Sequence, residues 1–221
     1  MKKNYKVIAF DLDGTLTNPE RGLVSGFVYA LKKMGTDYAD KSTLRKYIGP
    51  PLIESWEEDY GYTREQANLA VTIFREYFGV YGWWDNELYE GIKELLAKLK
   101  AAGKTIVLST SKPDIYSSKI LKLFEIDGYF DFSEGATADH SREAKCDVLR
   151  YALDAVGVGS TEEELSECVL VGDTRFDVEG ANIVGIDSIG VLYGFGTEDQ
   201  LRTEGATYIA RTVADIADIL L

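Results

Sequence analysis

Four aspartates carry the strongest chemical signal in this 221-residue chain. Asp11 and Asp13 follow the apolar run Val7-Ile8-Ala9-Phe10, and Asp173 and Asp177 follow Cys168-Val169-Leu170-Val171. After a third run, Thr105-Ile106-Val107-Leu108, come Ser109-Thr110-Ser111-Lys112-Pro113. Short continuous apolar runs are what strands buried on both faces of a parallel sheet require. Open parallel sheets bind ligands beyond the carboxyl ends of their strands. The spacing therefore predicts that acids, hydroxyls and small residues far apart in the chain converge at one sheet edge. Carboxylates that close raise one another's pKa or demand a counter-cation. Oxygen donors with no Cys or His nearby suit a hard ion, and a shell shared with phosphate and water suits Mg²⁺. Thr110 and the amides after it would hold phosphate oxygens, aided by the helix that Pro113 opens. Lys145 would add a positive point charge, with Lys112 and Arg142 as rivals for that place. Taken singly, Asp13-Gly14 also reads as a turn and Thr110 as a helix N-cap. Only their convergence favours chemistry.

The elements that must position these residues alternate. A fourth apolar run spans Ile186 to Val191, and Thr207-Tyr208-Ile209 is a weaker fifth. Leu88, Ile92, Leu95, Leu96 and Leu99 share one helical face closed by Gly103, and Ala144, Val148, Leu149, Ala152 and Val156 do the same before Gly157. Thr161 and Thr197 open capping boxes with Glu164 and Gln200. Strands alternating with helices predict an α/β core with a parallel, Rossmann-like sheet. From about Glu20 to Asp85 the pattern is only helical: Leu23, Val24, Phe27, Val28, Leu31 and Met34 form one face, and Thr63 caps a second long helix. That is far more than one crossover needs. The predicted organisation is a core of residues 1–18 and 86–221, with a helical insert at 19–85.

Composition bounds the function. With 24 Lys+Arg against 37 Asp+Glu, the net charge of −13 argues against nucleic acid and anionic membranes, which clustered basic residues hold. No apolar run approaches the roughly 18 residues a membrane span needs. The start, Met1-Lys2-Lys3-Asn4, lacks a signal-peptide pattern, so cytoplasm is the expected compartment. Cys146 and Cys168 have no metal or redox spacing and read as reduced packing residues; His140, the single histidine, reads as a surface loop residue. The aromatics Phe74, Tyr77, Phe78, Tyr81, Trp83 and Trp84 have helical spacing, which favours packing for most of them over stacking on a nucleobase.

These residues resemble the haloacid dehalogenase (HAD) superfamily of phosphohydrolases. Asp11-Leu12-Asp13-Gly14-Thr15-Leu16-Thr17 looks like its first motif, Thr110 its second, Lys145 its third, and Gly172-Asp173-Thr174-Arg175-Phe176-Asp177 its fourth. The insert's position is similar to that of the α-helical C1 cap subclass. Arg21-Gly22-Leu23, Ile48-Gly49-Pro50-Pro51-Leu52 and Tyr193-Gly194-Phe195-Gly196 resemble the phosphoglycolate phosphatase-like and 5′-nucleotidase-like branch. The resemblance implies attack by Asp11 on phosphorus, with Asp13 as acid and then base; the residues alone leave open which of the two attacks. It implies Mg²⁺ between the Asp11 carboxylate, the Asp13 carbonyl and Asp173, with Asp177 in the outer shell. Thr110, Ser111, Lys145 and Gly14 would bind phosphate, and Arg21, Lys46, Gly49 and Pro50 are candidates for substrate contact from the insert. The expected substrate is a small phosphomonoester, a nucleoside 5′-monophosphate or 2-phosphoglycolate, and the expected assembly a monomer or homodimer. A sugar-phosphate mutase and a non-catalytic binding module are the alternatives. A dehalogenase would leave Asp13 superfluous.

Overall fold

A computed structural model describes residues 3–38, 40–49, 52–137, 142 and 144–221. The chain divides into two compact units, Met1–Thr17 with Leu88–Leu221, and Asn18–Glu87. In the first, five parallel strands form one sheet: β1 (Val7–Phe10), β4 (Thr105–Leu108), β5 (Cys168–Gly172), β6 (Asp187–Val191) and β7 (Tyr208–Ala210), in the order β4-β1-β5-β6-β7. Two short strands, β2 (Thr17–Asn18) and β3 (Glu87–Leu88), pair where the chain crosses between the units.

The register places Val7 between Thr105 and Cys168, and Phe10 between Leu108 and Val171. Because β1 lies inside the sheet with β4 on one side and β5 on the other, the order reverses there, and such a reversal opens the ligand crevice of this architecture. Ile8, Phe10, Ile106, Leu108, Val169 and Val171 are fully buried, as continuous apolar runs in a doubly covered sheet must be. Each contributes about 1.5–3 kcal/mol of transfer free energy. Helices cover the sheet: α4 (Ile92–Ala101), α5 (Asp114–Leu123), α6 (Lys145–Ala155), α7 (Glu162–Ser166), α8 (Arg175–Val184), α9 (Glu198–Glu204) and α10 (Val213–Leu220). Ala9, Val107, Leu149, Ala152, Leu153, Cys168, Leu170 and Ala181 form one contiguous core beneath α6 and α8. Cys168 is a free thiol within it, and Cys146 is also free.

Two boundaries differ from the sequence reading. Leu88 belongs to β3 rather than to the face of α4, because Gly91, in the left-handed region at φ 84°, separates them. The fourth run loses Ile186, which follows the left-handed Gly185 that ends α8. The capping boxes at Thr161 and Thr197 form as expected.

The second unit is helical: α1 (Glu20–Met34), a 3₁₀ segment (Lys41–Tyr47), α2 (Leu52–Tyr60), α3 (Arg64–Tyr77) and a π-helical turn (Phe78–Gly82). Its core is aromatic. The Phe27 ring lies 5.2 Å from Tyr47, 5.1 Å from Trp56 and 5.2 Å from Phe74. Gly26 makes the last contact possible, since a Cβ there would stand 2.7 Å from the Phe74 ring. Phe74 and Phe78 are buried and stacked, as the packing reading requires, whereas Tyr81 and Trp84 are more than half exposed. Among the described residues no helix is long and apolar enough to cross a membrane.

Candidate active site

Sheet hydrogen bonding runs one residue past the strands and fixes the first chemical groups. The Asp11 N–H donates to the Val171 carbonyl (2.9 Å), and the Ser109 N–H to the Phe10 carbonyl (2.8 Å). Beyond Asp11 the chain folds back at once. Leu16 and Thr17 donate to the Leu12 carbonyl, each at 2.9 Å, and Gly14 donates to Thr17 at 2.7 Å. Gly14 sits at φ 86°, a conformation with little cost only for glycine. This closed turn fixes the main chain at Asp13.

Lys145 opens α6 and reaches into the acids. Its Nζ lies 2.6 Å from Asp11 Oδ1, 2.7 Å from Asp177 Oδ1 and 3.0 Å from the Ser109 carbonyl oxygen. Burial opposes its charge, yet the flanking carboxylates of Asp11 and Asp177 hold its pKa above the ordinary lysine value. Burial is also the largest influence on Asp11. It pushes that carboxyl up to about 6, with Lys145 opposing and Asp177 and Asp13 adding to the rise. Asp173 is raised well above the usual range, first by burial and then by Asp177 and Asp11.

Asp173 and Asp177 come from the carboxyl end of β5 and the first turn of α8. One carboxylate oxygen from each of Asp11, Asp173 and Asp177 lies within 4.8 Å of the others. Asp177 closes a capping box: its Oδ2 accepts from the Thr174 N–H (3.0 Å) and hydroxyl (2.8 Å), while Oδ1 faces Lys145. Asp173 Oδ2 accepts from the Phe195 N–H at 2.7 Å. Asp173 Oδ1 and Asp13 Oδ1 are buried with no hydrogen-bond partner among the described residues. Asp13 Oδ2 instead pairs with the Lys112 ammonium, whose side chain is 6% exposed. Thr110 is buried at the end of β4, and its Oγ1 accepts from the Lys112 N–H at 3.3 Å.

A family model described as haloacid dehalogenase-like hydrolase matches residues 8–191. The chain belongs to the haloacid dehalogenase-like hydrolase family. It is 37% identical over 216 residues to a 5′-nucleotidase of Pseudomonas aeruginosa, covering 98% of this chain and 96% of the other. It is 36% identical over 217 residues to the tyrosine-protein kinase PtkA of Mycobacterium tuberculosis, covering 97% of this chain and 72% of that one. The crystal structure of a predicted phosphatase from Clostridium acetobutylicum superposes with a TM-score of 0.90 at 38% identity, covering 97% of both chains. The chain is thus an HAD-like phosphatase, with the α/β core of that family.

Within this HAD site the structure brings together Asp11, Asp13, Gly14, Lys145, Asp173 and Asp177, and Thr110 follows β4, the neighbour of β1. Ser111 lies on the same loop as Thr110 with its side chain exposed. Of the three basic residues weighed for one place, Lys145 is the one on Asp11. Lys112 is on Asp13, and Arg142 donates to the Gly135 carbonyl (3.0 Å) and stacks over Tyr151. In the helical unit Arg21 is ion-paired to Asp85 and Glu87, Lys46 to Asp59, and Gly49 takes φ 108°. Pro50, Pro51 and His140 lie outside the described residues. Three contributors escaped the sequence reading. These are the pairing of Lys112 with Asp13, the Phe195 amide, and Gly180 of α8, where a Cβ would stand 2.6 Å from Lys145 Cγ. The visible signals were a lysine near Thr110 and a glycine inside an amphipathic helix.

Proposed function

We propose that the chain is a Mg²⁺-dependent phosphomonoester hydrolase working through an aspartyl-phosphate on Asp11, with a nucleoside 5′-monophosphate as its preferred class of substrate and 2-phosphoglycolate as the next. One observation carries the reading: Asp11, Asp173 and Asp177 crowd within 4.8 Å of one another in a buried cluster. Asp11, Asp173 and Asp177 are three carboxylates against one lysine, Lys145. The two negative charges left over match one divalent cation. Asp173 Oδ1, buried and unpartnered among the described residues, and the all-oxygen donor set fit Mg²⁺. Asp11, Asp173 and the Asp13 carbonyl would hold it, and Asp177, committed to Thr174 and Lys145, would support from outside. When bound, Mg²⁺ draws charge from the phosphoryl oxygens.

The protein groups do the rest. An Asp11 carboxylate oxygen attacks phosphorus as the bond to the leaving oxygen breaks, and Asp13 gives that oxygen its proton. Asp13 then takes a proton from water, whose oxygen displaces Asp11 from phosphorus and releases phosphate. Lys145 and the Thr110 hydroxyl hold the non-bridging oxygens and keep Asp11 from drifting. In this reading the helical unit is a cap, and Arg21, Lys46 and Gly49 are its candidates for substrate contact. The 5′-nucleotidase relative favours the nucleotide class.

Phosphate release from nucleoside monophosphates, 2-phosphoglycolate and sugar phosphates, with Mg²⁺ and after chelation, tests this. The expected result is release that stops on chelation and falls at least ~10³-fold in Asp11→Asn without unfolding. Undiminished turnover by Asp11→Asn overturns it. The PtkA relative raises a second reading, transfer to a tyrosine hydroxyl in place of water. Phosphotyrosine formed from ATP, with no phosphate released from the panel, would select that one.

A further inference from the structure

The segment Tyr193-Gly194-Phe195-Gly196 follows β6 and has no part in the chemistry above, yet it wraps Asp173. A Cβ at Gly194 would overlap both the Asp173 carboxylate and the Gly14 carbonyl oxygen, and one at Gly196 would overlap the Asp173 carbonyl oxygen. A Cβ at Gly14, across the side chain, would overlap the same carboxylate. Asp173 therefore sits in a socket lined by glycine backbone, which no side chain at those three positions could share. Inside the socket the two carboxylate oxygens differ. Oδ2 accepts the Phe195 N–H at 2.7 Å, whereas Oδ1 is buried with no partner among the described residues. The segment is tethered as well: the Tyr193 hydroxyl donates to the Thr15 carbonyl (2.9 Å), and its ring meets Tyr89 edge-on at 4.8 Å.

We infer that this segment makes Asp173 a one-oxygen ligand and thereby selects Mg²⁺ over Ca²⁺. The inference rests on Asp173 binding the metal, as proposed above. Mg²⁺ demands a near-octahedral shell of single oxygens, whereas Ca²⁺ takes six to eight ligands and accepts both oxygens of a carboxylate. A carboxylate whose second oxygen is committed to an amide, and whose rotation is blocked by backbone on both sides, offers the first geometry and withholds the second. Phe195 is a positioning residue through its main chain, and Tyr193 through its hydroxyl. Neither touches the reacting atoms.

The test is calorimetric titration of substrate-free protein with Mg²⁺ and with Ca²⁺, which reads the two affinities without turnover. Phe195→Pro removes the amide hydrogen, and with it the phenyl ring and the freedom of φ. It is expected to weaken Mg²⁺ by about 10- to 100-fold, the usual effect of losing a group that orients a ligand. Ca²⁺ should weaken much less, so that the Mg²⁺/Ca²⁺ preference falls at least ~10-fold. Tyr193→Phe, which leaves every amide in place, is expected to move the preference the same way by a smaller factor, and it serves if the proline variant does not fold. A general loosening of the protein would weaken both ions alike. An unchanged preference in the folded variants, whether the affinities fall together or not at all, overturns the inference. Asp173→Ala is the control on the reading beneath it. If that change leaves Mg²⁺ binding intact, Asp173 is not a ligand and the metal assignment fails; if it abolishes binding while the loop variants keep the wild-type preference, only the role of the loop fails.

Discussion

Lys145 reaches Asp11 and Asp177 because the helix it crosses lacks a side chain at Gly180. An alanine in a helix interior normally gains about 1 kcal/mol over glycine. At Gly180 the new Cβ would stand 2.6 Å from Lys145 Cγ and 3.0 Å from its Cβ, so overpacking of about 1–3 kcal/mol opposes that gain and displaces the ammonium. Gly180→Ala is therefore expected to lower kcat at least ~10-fold with no rise in thermal stability; a stabilised, fully active variant would refute the argument. Lys145→Met removes the cation from two buried carboxylates, a loss of about 3–5 kcal/mol for such pairs, measurable by urea unfolding at neutral pH. A variant as stable as wild type would show that losing the ammonium leaves no uncompensated charge in the folded protein. At this scale the sequence was readable wherever a residue's type carries its chemistry: Asp11, Asp13, Thr110 and Asp173 all follow apolar runs. Gly180 acts by having no side chain and Phe195 by its amide, so neither has a chemical type to read. Lys112 was visible as a lysine near Thr110, but spacing gives no direction, and its reach to Asp13 depends on how two loops turn.

Strand β4 is the free edge of the sheet that carries Thr110, and an unpaired edge is a liability that a fold has to cover. Here the cover is the chain after α5. The Ile106 N–H donates to Asp131 Oδ2 and the Asp131 N–H to the Ile106 carbonyl, both at 2.8 Å, and the Leu108 N–H donates to Phe132 at 2.9 Å. Burial works against the Asp131 charge, but the Lys100 ammonium, 2.8 Å from both oxygens, and the Ile106 amide hold its carboxyl below the usual range. A depressed folded pKa means stability that is present above the unfolded value and lost as pH falls through the folded one. Asp131→Ala is thus expected to cost about 1–2 kcal/mol at pH 7, a modest figure because the ion pair is partly solvated. The gap from wild type should close below about pH 4. A gap independent of pH would mean that packing, not charge, is lost. None of this clamp was legible, because it joins an aspartate in a loop to a strand some 25 positions earlier. The strands and long helices were legible from periodicity, whereas β2 and β3 are two residues each and too short to have a period. Gly91 separates Leu88 from a helix whose apolar rhythm it shares.

Over the whole molecule, the net charge of −13 and the local balance at the site act on an approaching substrate over different distances. In the proposed reading Asp11, Asp173, Asp177, Lys145 and one divalent cation sum to neutrality. A phosphomonoester dianion therefore meets little attraction from the site until it is close. Farther out it meets the excess of 37 acidic over 24 basic residues, whose repulsion is unopposed. Salt acts mainly on the distant part. The Debye length shortens from about 30 Å at 0.01 M to about 8 Å at 0.15 M, which removes long-range repulsion while leaving contacts in a buried site little screened. At fixed saturating Mg²⁺, kcat/KM for a dianionic substrate is therefore expected to rise several-fold over that range, with kcat nearly constant. This is the reverse of an enzyme that steers its substrate by charge. A fall in kcat/KM would show that positive potential from Lys112, Lys145 and the metal extends beyond the crevice, and that the local charges are not balanced. The same measurement on Lys112→Met separates the two cases. Removing a charge that acts only at short range should leave the salt slope as it was, while removing one that attracts from a distance should make the fall shallower or turn it into a rise.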